Sequence, residues 1–273
     1  MYLDKTAYNE QANNLINILY LKIELKKIYI AAFLNMKFSL IIPCYNEERN
    51  IPILIKKYKN YLKSKHNELI LVNNGSTDST EKVFKILKKI KNIKTFKIKK
   101  NIGFGNGLKK GIGMAKGKYL ISAHADLQVD PKDILKSIKI LNHQKKRRNN
   151  IFIKGNRVNR LKNHWAFGDF FFSIGYTIFS IILFRKILYD IHAQPVLFDK
   201  KLIKEIKYFP NDFSIDLTFY IYAKLKRYKI IRFPVNFNKR SRLFGIGNND
   251  SLKKSIKSSI GQIYQAFIIL KKL

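Results

Sequence analysis

The chain has 273 residues, of which 46% are apolar, so it can bury a large core and is not mainly disordered. Lys and Arg number 54 against 18 Asp and Glu, and the net charge of +36 suits an anionic partner, a nucleic acid or a membrane surface, although lysine is frequent on ordinary helix surfaces throughout the sequence as well. Cys44 is the single cysteine, which excludes an intrachain disulfide framework and a multi-cysteine zinc site and indicates a reducing compartment.

The first half of the chain alternates between strands and helices. Residues 1–35 carry apolar residues at helical spacing and are predicted to form an N-terminal helical extension. The strands predicted after it are Phe38–Ile42, Glu68–Val72, Thr95–Ile98 and Tyr119–Ala123. The helices predicted between and after these strands are Glu48–Ser64, Thr77–Ile90, a short helix from Asn106, and Pro131–Leu141. Because the strands are continuously apolar, we predict an α/β fold with a mainly parallel sheet covered on both faces.

The second half is less regular but continues the same domain. Its predicted strands are Ile151–Lys154, Pro195–Phe198 and Lys229–Phe237, and its predicted helices are 167–188 and Phe213–Leu225. We therefore predict one α/β domain over residues 36–248. Residues 249–273 are predicted to form a basic amphipathic helix, because apolar residues recur there at helical spacing among five lysines.

The sequence contains an apolar segment that is too short to cross a bilayer. Phe170–Phe184 has 15 residues without a charge, whereas a membrane-spanning helix needs about 20. The apolar run from Leu15 to Leu34 is interrupted by charged residues, so a signal peptide is not predicted. We expect a cytoplasmic protein that lies peripherally on the inner face of the plasma membrane through the helix at 167–188 and the basic tail.

Polar residues and glycines follow four of the predicted strands. In an open parallel sheet, ligands bind at the carboxyl ends of the strands. The four loops at these ends are Pro43-Cys44-Tyr45-Asn46-Glu47-Glu48, Asn73-Asn74-Gly75-Ser76-Thr77-Asp78, Asn101-Ile102-Gly103-Phe104-Gly105-Asn106 and His124-Ala125-Asp126-Leu127-Gln128. They are predicted to converge on one binding site.

These loops and the strands before them resemble a known family. The matching strings, in order, are SLIIPCYNEERNI, ELILVNNGSTDST, KNIGFGNGLKKGIGMAKGKYLI and HADLQVDP, which run from Ser39 to Pro131. They resemble the family-two glycosyltransferases with the GT-A fold, and most closely the branch of dolichyl- and polyprenyl-phosphate sugar synthases. The resemblance implies a GT-A (Rossmann-like) three-layer sandwich. It also implies inverting transfer of a sugar from a nucleotide-sugar donor to a polyprenyl phosphate.

The resemblance further implies a divalent cation, Mg²⁺ or Mn²⁺, at the fourth loop. The family's loop reads Asp-x-Asp, and here His124 stands in place of the first Asp. Asp126 and Gln128 carry over as metal ligands, while His124 would either ligate the cation or donate a hydrogen bond to the diphosphate. The alternative role for Asp126 is to cap the next helix.

The other three loops carry the residues that the resemblance assigns to the donor nucleotide. Asn74 stands where the family has an Asp that contacts the base, and its amide oxygen can still accept a hydrogen bond from a base N–H. Gly75 permits a sharp turn, and Gly103 and Gly105 would let the backbone approach the nucleotide. The remaining candidate donor-binding residues are Pro43, Tyr45, Asn46, Glu47 and Asn101.

Three residues are assigned to the acceptor side. Arg157 and Arg240 resemble family arginines, and a guanidinium suits a lipid phosphate or the donor diphosphate. Asp216 lies where inverting members carry a catalytic base. A sugar hydroxyl needs such a base, whereas a phosphate acceptor is already ionised. Asp216 is therefore either a catalytic base or a structural acid in the first turn of a helix.

Three alternatives to transfer onto a polyprenyl phosphate remain at this point. In the first, the acceptor of the sugar is a saccharide hydroxyl in cell-envelope polysaccharide synthesis. The departures at His124 and Asn73 would also fit a nucleotide-binding relative without catalysis. A nucleic-acid-binding protein is disfavoured, because no recognition motif is present and the aromatic residues cluster in one apolar segment.

Overall fold

The structure is a computed structural model that describes residues 37–145, 150–158, 167–236 and 252–273, together with Leu21 and Glu24. The chain divides into two compact units, Met1–Met36 and Lys37–Leu273. Most of the predicted N-terminal extension, and the predicted acceptor residue Arg240, lie outside the described residues. The second unit contains the site.

The described elements alternate as the sequence predicts. The strands are β1 (Phe38–Cys44), β2 (Asn67–Asn74), β3 (Ile93–Ile98), β4 (Tyr119–Ser122), β5 (Ile151–Val158), β6 (Val196–Asp199) and β7 (Lys229–Asn236). The helices are α1 (Asn50–Lys57), α2 (Lys59–Leu62), α3 (Thr80–Leu87), α4 (Phe104–Met114), α5 (Pro131–Lys145), α6 (Phe167–Phe184), α7 (Lys201–Glu205), α8 (Ser214–Leu225) and α9 (Leu252–Lys272).

All seven described strands belong to one sheet, in the order β3-β2-β1-β4-β6-β5-β7. The strand β6 runs antiparallel to both β4 and β5, and the other pairs are parallel. Every residue of β1 is buried, which requires that both faces of the sheet are covered. The predicted α/β fold with a mainly parallel, two-sided sheet is therefore confirmed.

The first predicted helix is interrupted. Glu48–Ser64 was expected to be continuous, but α1 ends at Lys57 and α2 begins at Lys59. The intervening Tyr58 and the nearby Tyr61 are both almost fully buried, with ring centroids 6.3 Å apart. The Tyr61 hydroxyl donates hydrogen bonds to the carbonyl oxygens of Phe38 and Glu68. The break lets both rings reach the same part of the core, a tertiary effect that helical periodicity does not contain.

The core of the second half is built around α8. Ten consecutive residues of this helix, from Ser214 to Ala223, are buried. The Tyr220 ring stacks on Phe152 of β5 at 5.8 Å, and Phe219 lies 4.9 Å from Phe198 of β6. The same core contains residues of α6 and α9, so the helix predicted in the tail is present and packs on the domain.

Helix α4 lies unusually close to the sheet. A Cβ atom at Gly111 would fall 2.3 Å from the Ile41 Cγ2 atom, and one at Gly107 would fall 2.9 Å from the Pro43 Cβ atom. Among the described residues, no atom outside the adjoining turns of α4 lies within 4 Å of the position that a Cβ at Gly113 would take. The two inward glycines therefore bring the start of α4 against the ends of β1 and β2, where the predicted donor loops begin.

This packing predicts opposite effects of the same substitution two residues apart. Gly111→Ala should lower the free energy of unfolding by about 1–3 kcal/mol, because its methyl group overlaps Ile41 in a packed core. Gly113→Ala is the control and should raise it by about 0.5–1 kcal/mol, since alanine favours a helix and the position is open. Denaturant unfolding of both variants measures the difference, and equal effects would contradict the close contact.

Candidate active site

The loops after β1 and β2 are joined by hydrogen bonds. The Asn46 backbone N–H donates to Ser76 Oγ at 3.0 Å, and Asn46 Oδ1 accepts from the Thr77 N–H at 2.8 Å. The Glu47 N–H donates to Thr80 Oγ1 at 3.0 Å. Two of the predicted donor-binding residues, Asn46 and Glu47, are thus fixed against the next loop, while Tyr45 is partly buried beside them.

Asn74 is held through its amide nitrogen. Its Nδ2 atom donates to Asn101 Oδ1 at 3.1 Å and to the Gly103 carbonyl oxygen at 3.0 Å. Its Oδ1 atom is buried, with no hydrogen-bond partner in the described part of the chain. An aspartate could not donate these two hydrogen bonds, which explains the amide here, and the remaining oxygen is an acceptor ready for a ligand N–H.

Asn73 has a structural role. Its Nδ2 atom donates to Glu81 Oε2 at 2.7 Å, and its Oδ1 atom accepts from the Ser76 N–H at 2.9 Å. Asn73, which departs from the family pattern, therefore has hydrogen-bond partners within the protein for both ends of its amide. It ties the end of β2 to α3 and to the loop between them.

The glycines of the third loop make room for protein backbone. A Cβ at Gly103 would lie 2.3 Å from the Asn211 carbonyl oxygen, and one at Gly105 would lie 2.3 Å from that of Pro210. The Gly103 φ of 122° also favours glycine. The resemblance implies that both glycines let the backbone approach a nucleotide, and in the structure they also admit the loop before α8.

His124 and Asp126 follow β4 and are partly exposed, with 16% and 17% of their side-chain surface accessible. The His124 Nδ1 atom lies 4.0 Å from Asp126 Oδ2, too far for a hydrogen bond. His124 Nε2 is buried and has no partner among the described residues. Asp126 Oδ1 accepts a hydrogen bond from the Gln128 N–H at 3.1 Å.

Asp130 takes the capping role that was the alternative for Asp126. Its Oδ1 atom accepts from the Lys132 N–H at 2.9 Å, at the start of α5. The described residues contain no group of three or more His, Cys, Asp or Glu side chains arranged to hold a metal ion. One carboxylate and one imidazole still fit a divalent cation whose other ligands come from a diphosphate and water.

Arg157 lies in a buried ion pair. Its Nε atom donates to Asp190 Oδ1 at 2.7 Å, and its backbone N–H donates to Asp190 Oδ2 at 2.7 Å. The two side chains are only 5% and 6% exposed. A second donor of the guanidinium reaches Ser173 Oγ on α6 at 3.2 Å. Arg157 therefore links β5, residue 190 and α6.

Asp216 is completely buried in the first turn of α8. Its Oδ1 atom accepts a hydrogen bond from Gln194 Nε2 at 3.0 Å. Its Oδ2 atom lies 3.4 Å from His192 Nδ1. The carboxylate thus contacts two side chains of the segment 190–194 and presents no surface to solvent.

Lys154 of β5 binds the backbone of the segment 190–194. Its buried ammonium group donates hydrogen bonds to the carbonyl oxygens of Asp190 and Ile191. Burial lowers the pKa of Lys154 to about 7, and the nearby carboxylates of Asp190 and Asp216 oppose that shift. The segment 190–194 is therefore fixed by contacts to its backbone as well as to its side chains.

Phe213 connects the two halves of the site. Its ring stacks on Phe104 at 5.0 Å and lies 5.9 Å from the His124 ring and 6.4 Å from the His192 ring. Sequence reasoning missed Phe213 and also Lys154, Asp190 and His192. The available signal was the cluster of polar residues in Asp190-Ile191-His192-Ala193-Gln194, directly before a predicted apolar strand.

Comparisons with known proteins agree with this geometry. Residues 39–207 match the family model described as glycosyl transferase family 2. The dolichol-phosphate mannosyltransferase of Pyrococcus furiosus is 27% identical over 233 residues, which are 84% of this chain and 63% of that protein. An undecaprenyl-phosphate 4-deoxy-4-formamido-L-arabinose transferase of Photorhabdus laumondii is 33% identical over 38% of this chain and 33% of its own length. The chain thus spans less than two thirds of either relative.

The fold also has solved counterparts. Glucosyl-3-phosphoglycerate synthase from Mycobacterium tuberculosis, crystallised with Mn²⁺, UDP and glucosyl-3-phosphoglycerate, aligns with a TM-score of 0.61 at 14% identity. The alignment covers 86% of this chain and 81% of that one. At this identity the likeness concerns the fold alone, and it confirms the GT-A architecture predicted from the sequence.

The buried Lys154 predicts a dependence of stability on pH. Above pH 7 the folded protein releases a proton that the unfolded chain keeps until about pH 10, so stability rises with pH in this window. Relative to Lys154→Met, the free energy of unfolding of the wild type should increase by about 2–3 kcal/mol between pH 6 and pH 9. Denaturant unfolding across this range measures it, and parallel curves for the two proteins would refute the assignment.

Proposed function

The chain belongs to glycosyl transferase family 2, and from that membership we propose that it is an inverting enzyme that moves a sugar from a nucleotide-sugar donor to a polyprenyl phosphate. The observation that carries the choice of acceptor is the complete burial of Asp216. Its oxygens face Gln194 and His192, so this carboxylate is not placed to take a proton from a sugar hydroxyl. A phosphate oxygen is already anionic and needs no such base.

The donor nucleotide would bind at the ends of β1, β2 and β3. The buried Oδ1 atom of Asn74 would accept a hydrogen bond from an N–H of the base. The partly buried Tyr45 and Glu47, and Pro43 at the end of β1, would line the base and the ribose. Asn46 and Asn101 keep these loops in place through the hydrogen bonds described above. A Cβ at Gly75 would fall 2.5 Å from the Asn101 backbone nitrogen, so this glycine lets the loops after β2 and β3 approach each other.

A divalent cation fits the end of β4. When bound, such an ion neutralises the donor diphosphate and stabilises the departing phosphate. Asp126 would hold it, with His124 as the second protein ligand through its imidazole and Gln128 next to them. A site with one carboxylate and one imidazole suits Mn²⁺ better than Mg²⁺, because Mg²⁺ strongly prefers oxygen ligands.

Transfer would proceed by a single displacement. An oxygen of the acceptor phosphate forms a bond to the anomeric carbon, while the bond from that carbon to the nucleoside diphosphate breaks and the diphosphate keeps the electron pair. Attack opposite the leaving group inverts the configuration. Arg157 would act indirectly, because its ion pair with Asp190 fixes that residue relative to β5. Arg240 would bind the acceptor phosphate directly.

The surface formed by α6 and α9 would contact the membrane that holds the acceptor. Both helices expose a stripe of large apolar residues, namely Phe171, Ile174, Ile178 and Ile182 on α6, and Ile256, Ile260, Ile263, Tyr264, Phe267 and Leu270 on α9. The rings of Phe179 and Phe267 join the helices at 5.7 Å. Among the described helices, none has both the length and the apolar character of a membrane span. We propose that the attachment is peripheral, on the anionic inner face of the plasma membrane.

A hydroxyl acceptor is the second candidate, and one contact favours it. His192 lies against Asp216, and an imidazole oriented by a carboxylate is an arrangement that serves general-base catalysis. In that case the acceptor would be a saccharide. The two candidates differ in how strongly turnover depends on the Asp216 charge.

Turnover with defined acceptors tests the proposed function. UDP-, GDP- and TDP-sugars are offered with a polyprenyl phosphate or an oligosaccharide, to the wild type and to two variants. Asp216→Asn should retain transfer to the polyprenyl phosphate within about tenfold, whereas loss of a general base costs about 10²–10⁴-fold. Asp126→Asn should lose at least about a hundredfold with an unchanged melting temperature. Transfer to the oligosaccharide alone, abolished by Asp216→Asn, would replace the proposal with the second candidate.

Vesicle binding tests the membrane surface. The full chain should bind anionic vesicles, and the affinity should fall steeply with salt because α9 carries lysines beside its apolar stripe. Ile260→Glu combined with Phe267→Glu should weaken binding at least about tenfold, since both side chains are more than half exposed. Lys257→Ala, at an exposed position on the same helix, is the milder control. Equal binding to neutral and anionic vesicles would refute the electrostatic contribution.

A further inference from the structure

Four polar side chains form a continuous row from the C-terminal helix to the core of the acceptor side. Gln262 Oε1 of α9 lies 2.9 Å from His192 Nε2. His192 Nδ1 lies 3.4 Å from Asp216 Oδ2, and Asp216 Oδ1 accepts from Gln194 Nε2 at 3.0 Å. The row therefore joins α9, the segment 190–194 and α8.

The His192 ring has little freedom to turn. Tyr176 of α6 stacks on it with ring centroids 5.5 Å apart and an interplanar angle of 12°, and Phe213 meets it edge-on. The Gln262 amide is oriented by a second hydrogen bond, which its Nε2 atom donates to Ser258 Oγ at 3.3 Å. The Gln262 oxygen therefore faces the imidazole, and the contact is directional.

The segment that carries His192 organises the acceptor side. Asp190 holds the buried Arg157, Lys154 holds the carbonyl oxygens of Asp190 and Ile191, and Gln194 contacts Asp216. A shift of His192 would move all of these contacts together, because the segment is only five residues long. The position of α9 is thus linked to this segment through the Gln262 side chain.

Two other polar contacts, at Gln265 of α9 and at Leu273 directly after it, go to residues 207 and 208. The Tyr208 hydroxyl donates to Gln265 Oε1 at 2.7 Å, and Lys207 Nζ donates to the Leu273 carbonyl oxygen at 3.3 Å. Both partners follow α7 and lie outside the segment 190–194 in sequence. Ala266 and Ile269 supply the buried apolar side of α9. Gln262 is therefore a polar contact of α9 that reaches the acceptor side.

We propose that Gln262 and His192 are positioning residues that transmit the docking of α9 to the acceptor site. Seating of α9 would fix the imidazole, and the imidazole would fix Asp216 and the segment 190–194. Displacement of α9 would loosen Arg157, Asp190 and Gln194 together while the donor loops stay intact. This inference rests on the proposed function, because it assigns these groups to the side that receives the lipid phosphate.

The test compares two glutamines on the same helix. Gln262→Leu and Gln265→Leu each remove one hydrogen bond that anchors α9, at partly buried positions three residues apart. Gln262→Leu should lower kcat/KM for the polyprenyl phosphate at least about tenfold and leave the affinity for the nucleotide within about twofold. Gln265→Leu should change neither quantity more than about threefold. Gln262→Glu keeps an oxygen acceptor for His192 and should restore most of the lost turnover.

A second readout does not depend on the acceptor. Hydrogen exchange of the peptide that contains residues 190–194, followed by mass spectrometry on the full chain without substrates, should be faster in Gln262→Leu than in the wild type. Exchange of this peptide in Gln265→Leu should match the wild type. Exchange of the donor loop at 73–78 should be the same in all three proteins, since hydrogen bonds tie this loop to Asn46, Glu81 and Asn101.

The outcomes separate the two proposals. If the wild type does not use a polyprenyl phosphate, the proposed function fails, and the exchange experiment still decides whether Gln262 anchors the segment 190–194. If Gln262→Leu and Gln265→Leu behave alike in both measurements, the positioning role of Gln262 is refuted. Faster exchange in Gln262→Leu with unchanged turnover would also overturn the proposal, because the segment would then move without consequence for transfer.

Discussion

The close approach of the 210–212 backbone to Gly103 and Gly105 is the constraint on which the rest of the site depends. With a side chain at either glycine, the loop before α8 would be forced away from α4. The Asn106 N–H closes this contact by donating to the Asn211 carbonyl oxygen at 3.0 Å. Phe213 follows immediately, and its ring reaches Phe104, His124 and His192. Two sets of residues that are a hundred positions apart in sequence therefore meet at one aromatic ring.

The departures from the family pattern have local explanations. Asn74 replaces a carboxylate where two acceptors, Asn101 Oδ1 and the Gly103 carbonyl, need a donor. Asn73 uses both ends of its amide within the protein. His124 packs edge-on against the stacked rings of Phe104 and Phe213, where an aromatic ring fills space that a short carboxylate would leave empty. These substitutions therefore match their surroundings, which argues against decay of the site.

The sequence predicted the parts of the fold that depend on local patterns. Continuous apolar runs marked β1, β2 and β4, and turn residues after them marked the loops that converge on the site. The direction of β6 was not predictable, because burial on both faces gives the same apolar run in either orientation. The role of Lys154 was equally hidden, since a lysine among 54 basic residues carries no sign that it is buried. The roles of Asp190, His192 and Gln194 can be recognised only in the folded structure, where β5, α8 and α9 pack around them.

The exposed stripes on α6 and α9 have a consequence for the protein away from lipid. Large apolar side chains on neighbouring helices attract each other between molecules, while a net charge of +36 keeps the molecules apart. Salt shortens the range of the repulsion to about 10 Å at 0.1 M but leaves the apolar attraction in place. The tendency to self-associate in water therefore depends on the balance between this attraction and this repulsion. A higher ionic strength shifts the balance toward self-association.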